Sequence, residues 1–190
     1  MSTATEAAEA GQYLTFRLAG EEYAVEILQA REILRYEEVT RVPTAPPSIR
    51  GVLNLRGRVV PVVDLAVKLG LPETPVTGRT CIVIMDVALD GERTVMGVIA
   101  EAVSQVVDLH PGDIEPPPPF GPRARVEFLR GMARVEGRFA LLLDLDLLLA
   151  TEDAAAAAAV AAAGEDGDDG DSEAEGAGLA PETSAAEVAA

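Results

Sequence analysis

The stretch that decides the fold is IRGVLNLRGRVVPVVDL at residues 49–65, because it occurs a second time as LRGMARVEGRFALLLDL at residues 129–145. The offset of 80 residues continues without a gap to Leu69 and Leu149. Duplication of one supersecondary unit predicts two similar subdomains. Among the positions that coincide are Gly51/Gly131, Gly57/Gly137, Arg58/Arg138, Asp64/Asp144 and Leu65/Leu145.

Within residues 49–65, three positions differ in kind between the copies. The differing pairs are Asn54/Arg134, Arg56/Glu136 and Pro61/Leu141. A residue that only one copy carries is not required by the shared fold. These positions therefore indicate a specialised role in one of the two copies.

Alternating hydrophobicity predicts the outer strands. Residues 12–18 alternate with period two, and a turn at 19–22 allows residues 23–27 to pair back as a hairpin. The second half opens in the same way, with strands at 81–87 and 94–99 around Asp90-Gly91, a strong hairpin signal. For the ambiguous stretch that follows the first hairpin, we favour a strand at 30–34 over a helix.

The repeated core reads as a second hairpin, with strands at 51–55 and 59–63 about Arg56-Gly57. Its near-continuous Val and Leu content is typical of strands buried on both faces. Asp64 is predicted to be the N-cap of a short helix that stops at Gly70, and Asp144 opens the equivalent helix. Two five-stranded units of this size are too small for sandwiches, so the sequence predicts a mainly β fold of two small barrels, intertwined or separate.

Charge divides the chain into three parts. The formal net charge is −17, and residues 151–190 hold eleven acids and no base. This Ala/Gly/Asp/Glu-rich segment is predicted to be a disordered tail, because it cannot bury enough apolar surface to offset the entropy of ordering. We expect a flexible N-terminus at 1–10 and the folded domain at 11–150. For the tail we favour a solubilising role over the tuning of partner choice. The prolines at 116–119 read as a rigid connector in preference to a polyproline ligand.

Composition also narrows the class of function. The chain has one cysteine and one histidine, which excludes an intrachain disulfide, a CxxC metal pattern and a site built on histidines. We expect no signal peptide, and the sequence shows no phosphate loop and no basic excess for binding nucleic acid. A reducing cytoplasm, protein partners, and no cofactor or bound metal are the expectations.

A small hydrolase is the enzymatic alternative. It would need Cys81 with His110, or Asp64 with Asp144 as paired carboxylates. Cys81 reads better as a buried, inert thiol, since it stands in an apolar strand, and His110 as part of a solvated loop. The identical register of the two aspartates favours helix capping. We therefore predict no catalytic residue.

Arg56 is the most distinctive copy-specific residue. It lies at a predicted hairpin tip beside Asn54 and Leu55, and Glu32 on the neighbouring strand is a plausible partner for an ion pair. Arginine is enriched at interface hot spots, which favours a protein-binding anchor. An exposed arginine at a turn can also serve only solubility, and the residues alone leave both readings open.

The chain resembles the CheW coupling proteins of chemotaxis over residues 11–150. The most specific motif is the stretch 49–65 quoted above. The others, in order, are QYLTF at 12–16, GEEYAV at 20–25, AREI at 30–33, VTRVP at 39–43, MGVIAEAV at 96–103 and LRG at 129–131.

The resemblance implies two intertwined SH3-like five-stranded barrels around an apolar seam, and a scaffold without enzymatic activity. It implies a monomer that joins larger arrays in the cytoplasm, at the inner face of the membrane but not inserted in it. The expected partners are the cytoplasmic tips of methyl-accepting chemoreceptors and the regulatory domain of the histidine kinase CheA. Related pathways that control pili, cyclic dinucleotides or development stay open. The kinase-binding residues are not assigned, whereas receptor contact is expected at Ala30, Glu32, Gly51, Asn54 and Arg56, with Val98 and Ile99 from the second barrel.

Overall fold

The computed structural model describes residues 10–117 and 126–150. The expectations for residues 1–9, for the end of the proline run and for the tail at 151–190 lie outside the described residues. Pro116 and Pro117 are described and belong to no strand or helix.

The described chain is mainly β, as predicted. Each predicted hairpin is present, and residues 30–34 lie in a strand. The strands are β1 (Gly11–Leu18), β2 (Glu21–Glu26), β3 (Ala30–Arg35), β4 (Ile49–Leu55), β5 (Arg58–Asp64), β6 (Cys81–Leu89), β7 (Glu92–Ala100), β8 (Ala102–Leu109), β9 (Ile114–Glu115), β10 (Leu129–Val135) and β11 (Arg138–Leu143). The helices are α1 (Leu65–Lys68) and α2 (Leu145–Leu149), with 3-10 turns at Ile27–Gln29, Pro111–Asp113 and Val126–Phe128.

The strands form two sheets that exchange their hairpins. The first barrel has the strand order β3-β6-β7-β5-β4, and the second barrel has the order β8-β1-β2-β11-β10-β9. The hairpin β1–β2 therefore lies in the second barrel and the hairpin β6–β7 in the first, each joined by a parallel pairing, β2 to β11 and β7 to β5. Of the two arrangements that the sequence allowed, the structure shows the intertwined one.

The two barrels close in the same way, although one has five strands and the other six. In the second barrel, the segment after β8 returns as the two-residue strand β9 and pairs with β10. In the first barrel, the segment after β3 makes only one bridge, between Thr40 and Val52 of β4. The predicted count of five strands therefore holds for the first barrel, and the sixth strand of the second is a slightly longer form of the same closing contact.

The tips of the hairpins follow one backbone pattern. Both central residues have positive φ, and the second is always glycine. Two such residues make a type I′ turn, whose twist matches that of the flanking strands. The four turns are Ala19-Gly20, Arg56-Gly57, Asp90-Gly91 and Glu136-Gly137.

Three apolar clusters form the core. One fills the first barrel and includes Val60, Ile84 and Ile99. A second fills the other barrel around Ala133 and Leu142. The largest joins the two barrels, because it contains residues of β1 and β2 together with residues of β6 and β7. This cluster is the apolar seam that the family resemblance implies.

Candidate functional site

The seven residues expected at the receptor surface all belong to the first barrel. Ala30 and Glu32 lie on β3, Gly51 and Asn54 on β4, and Arg56 at the tip of the β4–β5 hairpin. Val98 and Ile99 were placed on the second barrel from the sequence, and this placement is wrong. They lie on β7, which pairs with β5 and β6 of the first barrel. The error follows from the exchange of hairpins, since β7 belongs to the second half of the chain but not to the second barrel.

Burial divides these residues into a surface group and a supporting group. Val98 is 1% exposed in the seam between the barrels, and Ile99 is 0% exposed inside the first barrel. Gly51 is buried, and a Cβ added to it would lie 2.3 Å from the carbonyl oxygen of Thr40. Val98, Ile99 and Gly51 are therefore closed to a rigid partner, and these three residues support the surface from beneath.

The surface group is centred on an ion pair. The guanidinium Nη2 of Arg56 donates a hydrogen bond of 2.9 Å to Oε2 of Glu32. The two residues come from the two edges of the sheet, because β3 and β4 are its first and last strands. The Arg56 side chain is 79% exposed and that of Glu32 is 27% exposed. Such an exposed pair contributes about 0.2–1 kcal/mol to stability, so the fold itself has little need of it.

Asn54 explains how an arginine is held at the tip of a tight turn. Its side-chain oxygen accepts a hydrogen bond of 2.8 Å from the backbone N–H of Gly57. Arg56 has φ +53°, a conformation that costs a residue with a Cβ about 1 kcal/mol. The contact from Asn54 offsets part of this cost and fixes the direction in which Arg56 leaves the hairpin.

The ion pair borders an open pocket of about 520 Å³ at one end of the first barrel. Its base is apolar, with Leu55, Val59, Val60 and Val95 among the lining residues. The rim is charged and consists of Arg31, Glu32, Arg56, Arg58 and Arg93, together with Thr94. We call this pocket the first-barrel mouth.

A pocket of about 440 Å³ takes the equivalent place in the second barrel. It is lined by Arg17, Glu22, Ser104, Gln105, Val135, Glu136 and Arg138. The charges of this second-barrel mouth are two arginines against two glutamates, whereas the first-barrel mouth has four arginines against one glutamate. The difference between Arg56 and Glu136 seen in the repeat is therefore part of a difference between the two barrel ends.

The residues of the hydrolase alternative are engaged in the fold. Asp64 is fully buried and accepts hydrogen bonds from Ala66 N, from the amide and hydroxyl of Thr74, and from Arg50. Asp144 accepts from Leu147 N and from Arg130. Both aspartates are helix N-caps, as predicted.

Cys81 and His110 also stand where the sequence placed them. Cys81 is buried, and burial raises the pKa of its thiol even though the backbone of Val103 acts in the opposite direction. His110 is exposed and caps the 3-10 turn Pro111–Asp113. Within residues 10–117 and 126–150, no three His, Cys, Asp or Glu side chains are grouped so that they could hold a metal ion. In the same ranges every helix is too short to cross a bilayer.

Sequence reasoning missed two features of the first barrel and the turn that precedes it. Leu28 is 87% exposed in the 3-10 turn just before β3, and Ile33 on β3 is also exposed. Arg31 and Arg93 join the first-barrel mouth from different strands. The outward alternation of β3 could have indicated Ile33, but a contribution from β7 could not be seen without knowing that this strand joins the first barrel.

Comparison with known proteins gives a consistent result. The model of the CheW-like domain family matches residues 12–153. The chemotaxis protein CheW of Klebsiella aerogenes is 35% identical over 144 residues, which covers 76% of this chain and 84% of that protein. The corresponding protein of Bacillus subtilis is 33% identical over 142 residues, covering 74% and 88%. Protein FrzA of Myxococcus xanthus is 32% identical over 142 residues, covering 74% and 86%.

A solved structure agrees with the fold. The scaffolding protein TtCheW from Thermoanaerobacter tengcongensis superposes with a TM-score of 0.65 at 28% identity, over 76% of this chain and 95% of that one. The family model, these relatives and the paired barrels all concern the same stretch of the chain. The protein therefore belongs to the CheW family.

Proposed function

We propose that this protein is a non-enzymatic adaptor that couples methyl-accepting chemoreceptors to the histidine kinase CheA. The observation that carries the proposal is the family match over residues 12–153, which spans both barrels. The relatives are named as a chemotaxis protein and a scaffolding protein, in agreement with this role. The engagement of Asp64 and Asp144 as caps and the burial of Cys81 weigh against a hydrolase.

The receptor would bind at the exposed edge of the first barrel. A receptor helix bundle can lay apolar side chains against Leu28 and Ile33 and against the seam where Ala30 packs. Arg56 then supplies a polar anchor at the rim, directed by Glu32 and Asn54. Gly51, Val98 and Ile99 contribute through the packing that supports this edge.

In the proposed mechanism, the signal is a change in the relative positions of the receptor and the kinase. The adaptor performs no chemistry, and a change in the receptor reaches the kinase through the positions of the bound modules. Each contact is modest in area, so an array gains its strength from many linked contacts. We expect a monomer in the free state and a cytoplasmic location beneath the membrane. No kinase-contact residue is proposed.

The same binding edge would serve a coupling protein of a related chemosensory pathway, one that controls pili, cyclic dinucleotides or development. The Arg56–Glu32 pair concerns how a receptor is held and not what the pathway controls. This alternative shares the adaptor mechanism and differs in the identity of the receptor and the kinase. The experiment below therefore includes the receptors and kinases of each chemosensory pathway in the source organism.

The test is co-sedimentation of the full chain with receptor signalling tips in a membrane-anchored form, with CheA, and with both together. The proposal predicts that the protein sediments with the receptors and that the kinase joins the pellet only when the protein is present. Folding is checked on the same sample by near-ultraviolet circular dichroism. A folded protein that joins neither partner, for every receptor and kinase pair tested, would contradict the proposal.

A further inference from the structure

The first-barrel mouth carries positive charge that the described fold does not compensate. Arg31 is paired with Asp86 at 2.6 Å, and Arg56 is paired with Glu32 at 2.9 Å. Arg58 and Arg93 are exposed and have no acidic partner within residues 10–117 and 126–150. Two arginines at one pocket therefore lack an acidic partner in the described residues, although the chain as a whole has a net charge of −17.

The same chain contains a segment of matching charge. Residues 165–175 read EDGDDGDSEAE, with seven acids and no base. Arginine binds carboxylates in a forked geometry, and Arg58 and Arg93 offer two such forks over an apolar base. The second-barrel mouth, with its two arginines and two glutamates, lacks this complementarity.

The described chain ends close to this mouth. Asp146 in α2 accepts a hydrogen bond of 2.9 Å from the backbone N–H of Ala88, and Ala88 pairs directly with Arg93 across β6 and β7. Ala150, the last described residue, follows one helical turn after Asp146. Fourteen residues then lie between Ala150 and Glu165. A random coil of that length would have a root-mean-square span of about 20 Å and a far longer maximum reach, so the number of residues is sufficient for the segment to reach the mouth.

We infer that the first-barrel mouth is an intramolecular docking site for residues 165–175, whose carboxylates pair with Arg58 and Arg93. Exposed ion pairs are weak one by one, but the linker keeps the segment at an effective concentration of about millimolar, which favours binding within one chain. Several carboxylates can exchange over the two arginines, so the docked state needs no single fixed geometry. Because the contact consists of exposed ion pairs, high salt should screen it strongly.

The test is a spin label on the tail of the full chain. Ala174→Cys introduces a reactive thiol into the acidic segment, and the buried Cys81 stays unlabelled in the folded protein. The spin label weakens the NMR amide signals of residues that lie near it. This loss of signal is then compared at Arg58 and Thr94 in the first-barrel mouth and at Glu136 and Arg138 in the second-barrel mouth. Docking predicts a loss of most of the intensity at the first mouth and little loss at the second. Equal losses at both mouths, or none at either, would overturn the inference.

A matched pair of variants tests the charge. Arg58 and Arg138 hold the same position, the first residue of a strand after a type I′ turn, and both are exposed. Arg58→Glu is expected to abolish the signal loss at the first mouth, and Arg138→Glu to leave it unchanged. In the spin-labelled protein that keeps both Arg58 and Arg138, raising NaCl to about 1 M should release the tail, because the Debye length is then about 3 Å. Signal loss that survives both the salt and Arg58→Glu contradicts docking by charge.

A mixing control decides whether the contact is made within one chain. Spin-labelled protein without isotope is added to ¹⁵N-labelled protein without the spin label. The inference predicts no loss of signal in the ¹⁵N-labelled molecules. A loss at the first mouth in this sample would show that the tail of another copy occupies it, and would overturn an intramolecular site.

Docking of the tail should also weaken receptor binding, an expectation that rests on the proposed function. Arg58 stands two residues from Arg56, so a docked tail lies beside the proposed receptor anchor and competes with the receptor. A chain whose seven acids at 165–175 are replaced by Asn and Gln should bind receptor tips more tightly than the unaltered chain. The spin-label experiment contains no receptor, so failure of docking and failure of receptor binding are observed separately.

Discussion

Arg50 and Asp64 form an ion pair of 2.8 Å that ties the beginning of β4 to the end of β5. Arg130 and Asp144 make the same connection between β10 and β11, 80 residues later, at 3.1 Å. The duplication therefore preserves a charge pair together with two hairpins. In both barrels the aspartate also caps the following helix, so one carboxylate joins a hairpin to a helix.

The two pairs differ in their surroundings. The Arg50 side chain is nearly buried and also contacts Glu73 and the carbonyl oxygen of Thr74. Arg130 is more exposed and has Glu26 as a second partner. Burial lowers the pKa of Arg130, but the hydrogen bond and charge of Asp144, with the charge of Glu26, outweigh this effect and raise the pKa above its ordinary value.

The first prediction concerns this pair. Arg50→Ala leaves the carboxylate of Asp64 buried without its counter-ion and should lower the free energy of unfolding by about 3 kcal/mol. Arg130→Ala should lower the free energy of unfolding by only about 1 kcal/mol, because water can reach Asp144. Urea denaturation followed by circular dichroism measures both. Equal losses in the two variants would show that burial does not distinguish the pairs.

The second prediction concerns the closure of the first barrel. Gly51→Ala places a Cβ 2.3 Å from the carbonyl oxygen of Thr40, and this overpacking should cost about 3 kcal/mol of stability. Gly57→Ala meets open space at the hairpin tip, where only the positive φ opposes it, and should cost about 1 kcal/mol. Thermal and urea unfolding of the two variants compare these costs. A Gly51 variant as stable as the Gly57 variant would contradict the close approach of the closing segment.

The third prediction concerns the single thiol. Burial raises the pKa of Cys81, so less thiolate is present at a given pH than in an unfolded chain, and the residue should react slowly with Ellman's reagent at pH 8. In denaturant one thiol per chain should react rapidly. Rapid reaction of the folded protein would mean that Cys81 is accessible, and would revive the hydrolase alternative.

The fourth prediction separates a partner contact of Arg56 from a purely internal role. Arg56→Glu and Glu32→Arg should each weaken binding to receptor tips while changing the free energy of unfolding by less than about 1 kcal/mol. The double variant rebuilds the ion pair with reversed charges. It should remain impaired, because the receptor then meets a glutamate at the anchor. Full recovery of binding in the double variant would assign both residues to internal structure alone. Titration calorimetry with receptor tips gives the affinities.

Local patterns in the sequence were sufficient for the elements of the fold. The turns at Arg56-Gly57 and Asp90-Gly91, the strand at 30–34 and the two N-caps depend on neighbours in the chain, and all are confirmed. The two-barrel architecture was predicted from the repeat and from the family resemblance.

Long-range pairing was the part that the sequence could not supply. A hairpin signal at β6–β7 does not say which barrel the hairpin joins, and for this reason Val98 and Ile99 were placed on the wrong one. Arg50 and Arg130 occupy the same position of the repeat, but nothing in the sequence indicated their role. Their aspartate partners lie 14 residues away across a hairpin. The first-barrel mouth combines β3, β5 and β7 and depends on the same pairing.

The proposed role of this protein is to couple receptors to the kinase through the edge of the first barrel. The most direct measurement is autophosphorylation of CheA in the presence of receptor signalling tips and the full chain, with Arg56→Glu and Glu136→Arg compared at matched protein concentrations. These two substitutions reverse a charge at the same position of the type I′ turn in each barrel. We expect the unaltered chain and the Glu136→Arg variant to activate the kinase in a receptor-dependent manner, and the Arg56→Glu variant to leave it inactive. Equal activation by both variants, or no activation by the unaltered folded chain with any receptor and kinase pair of its source organism, would contradict the proposed role.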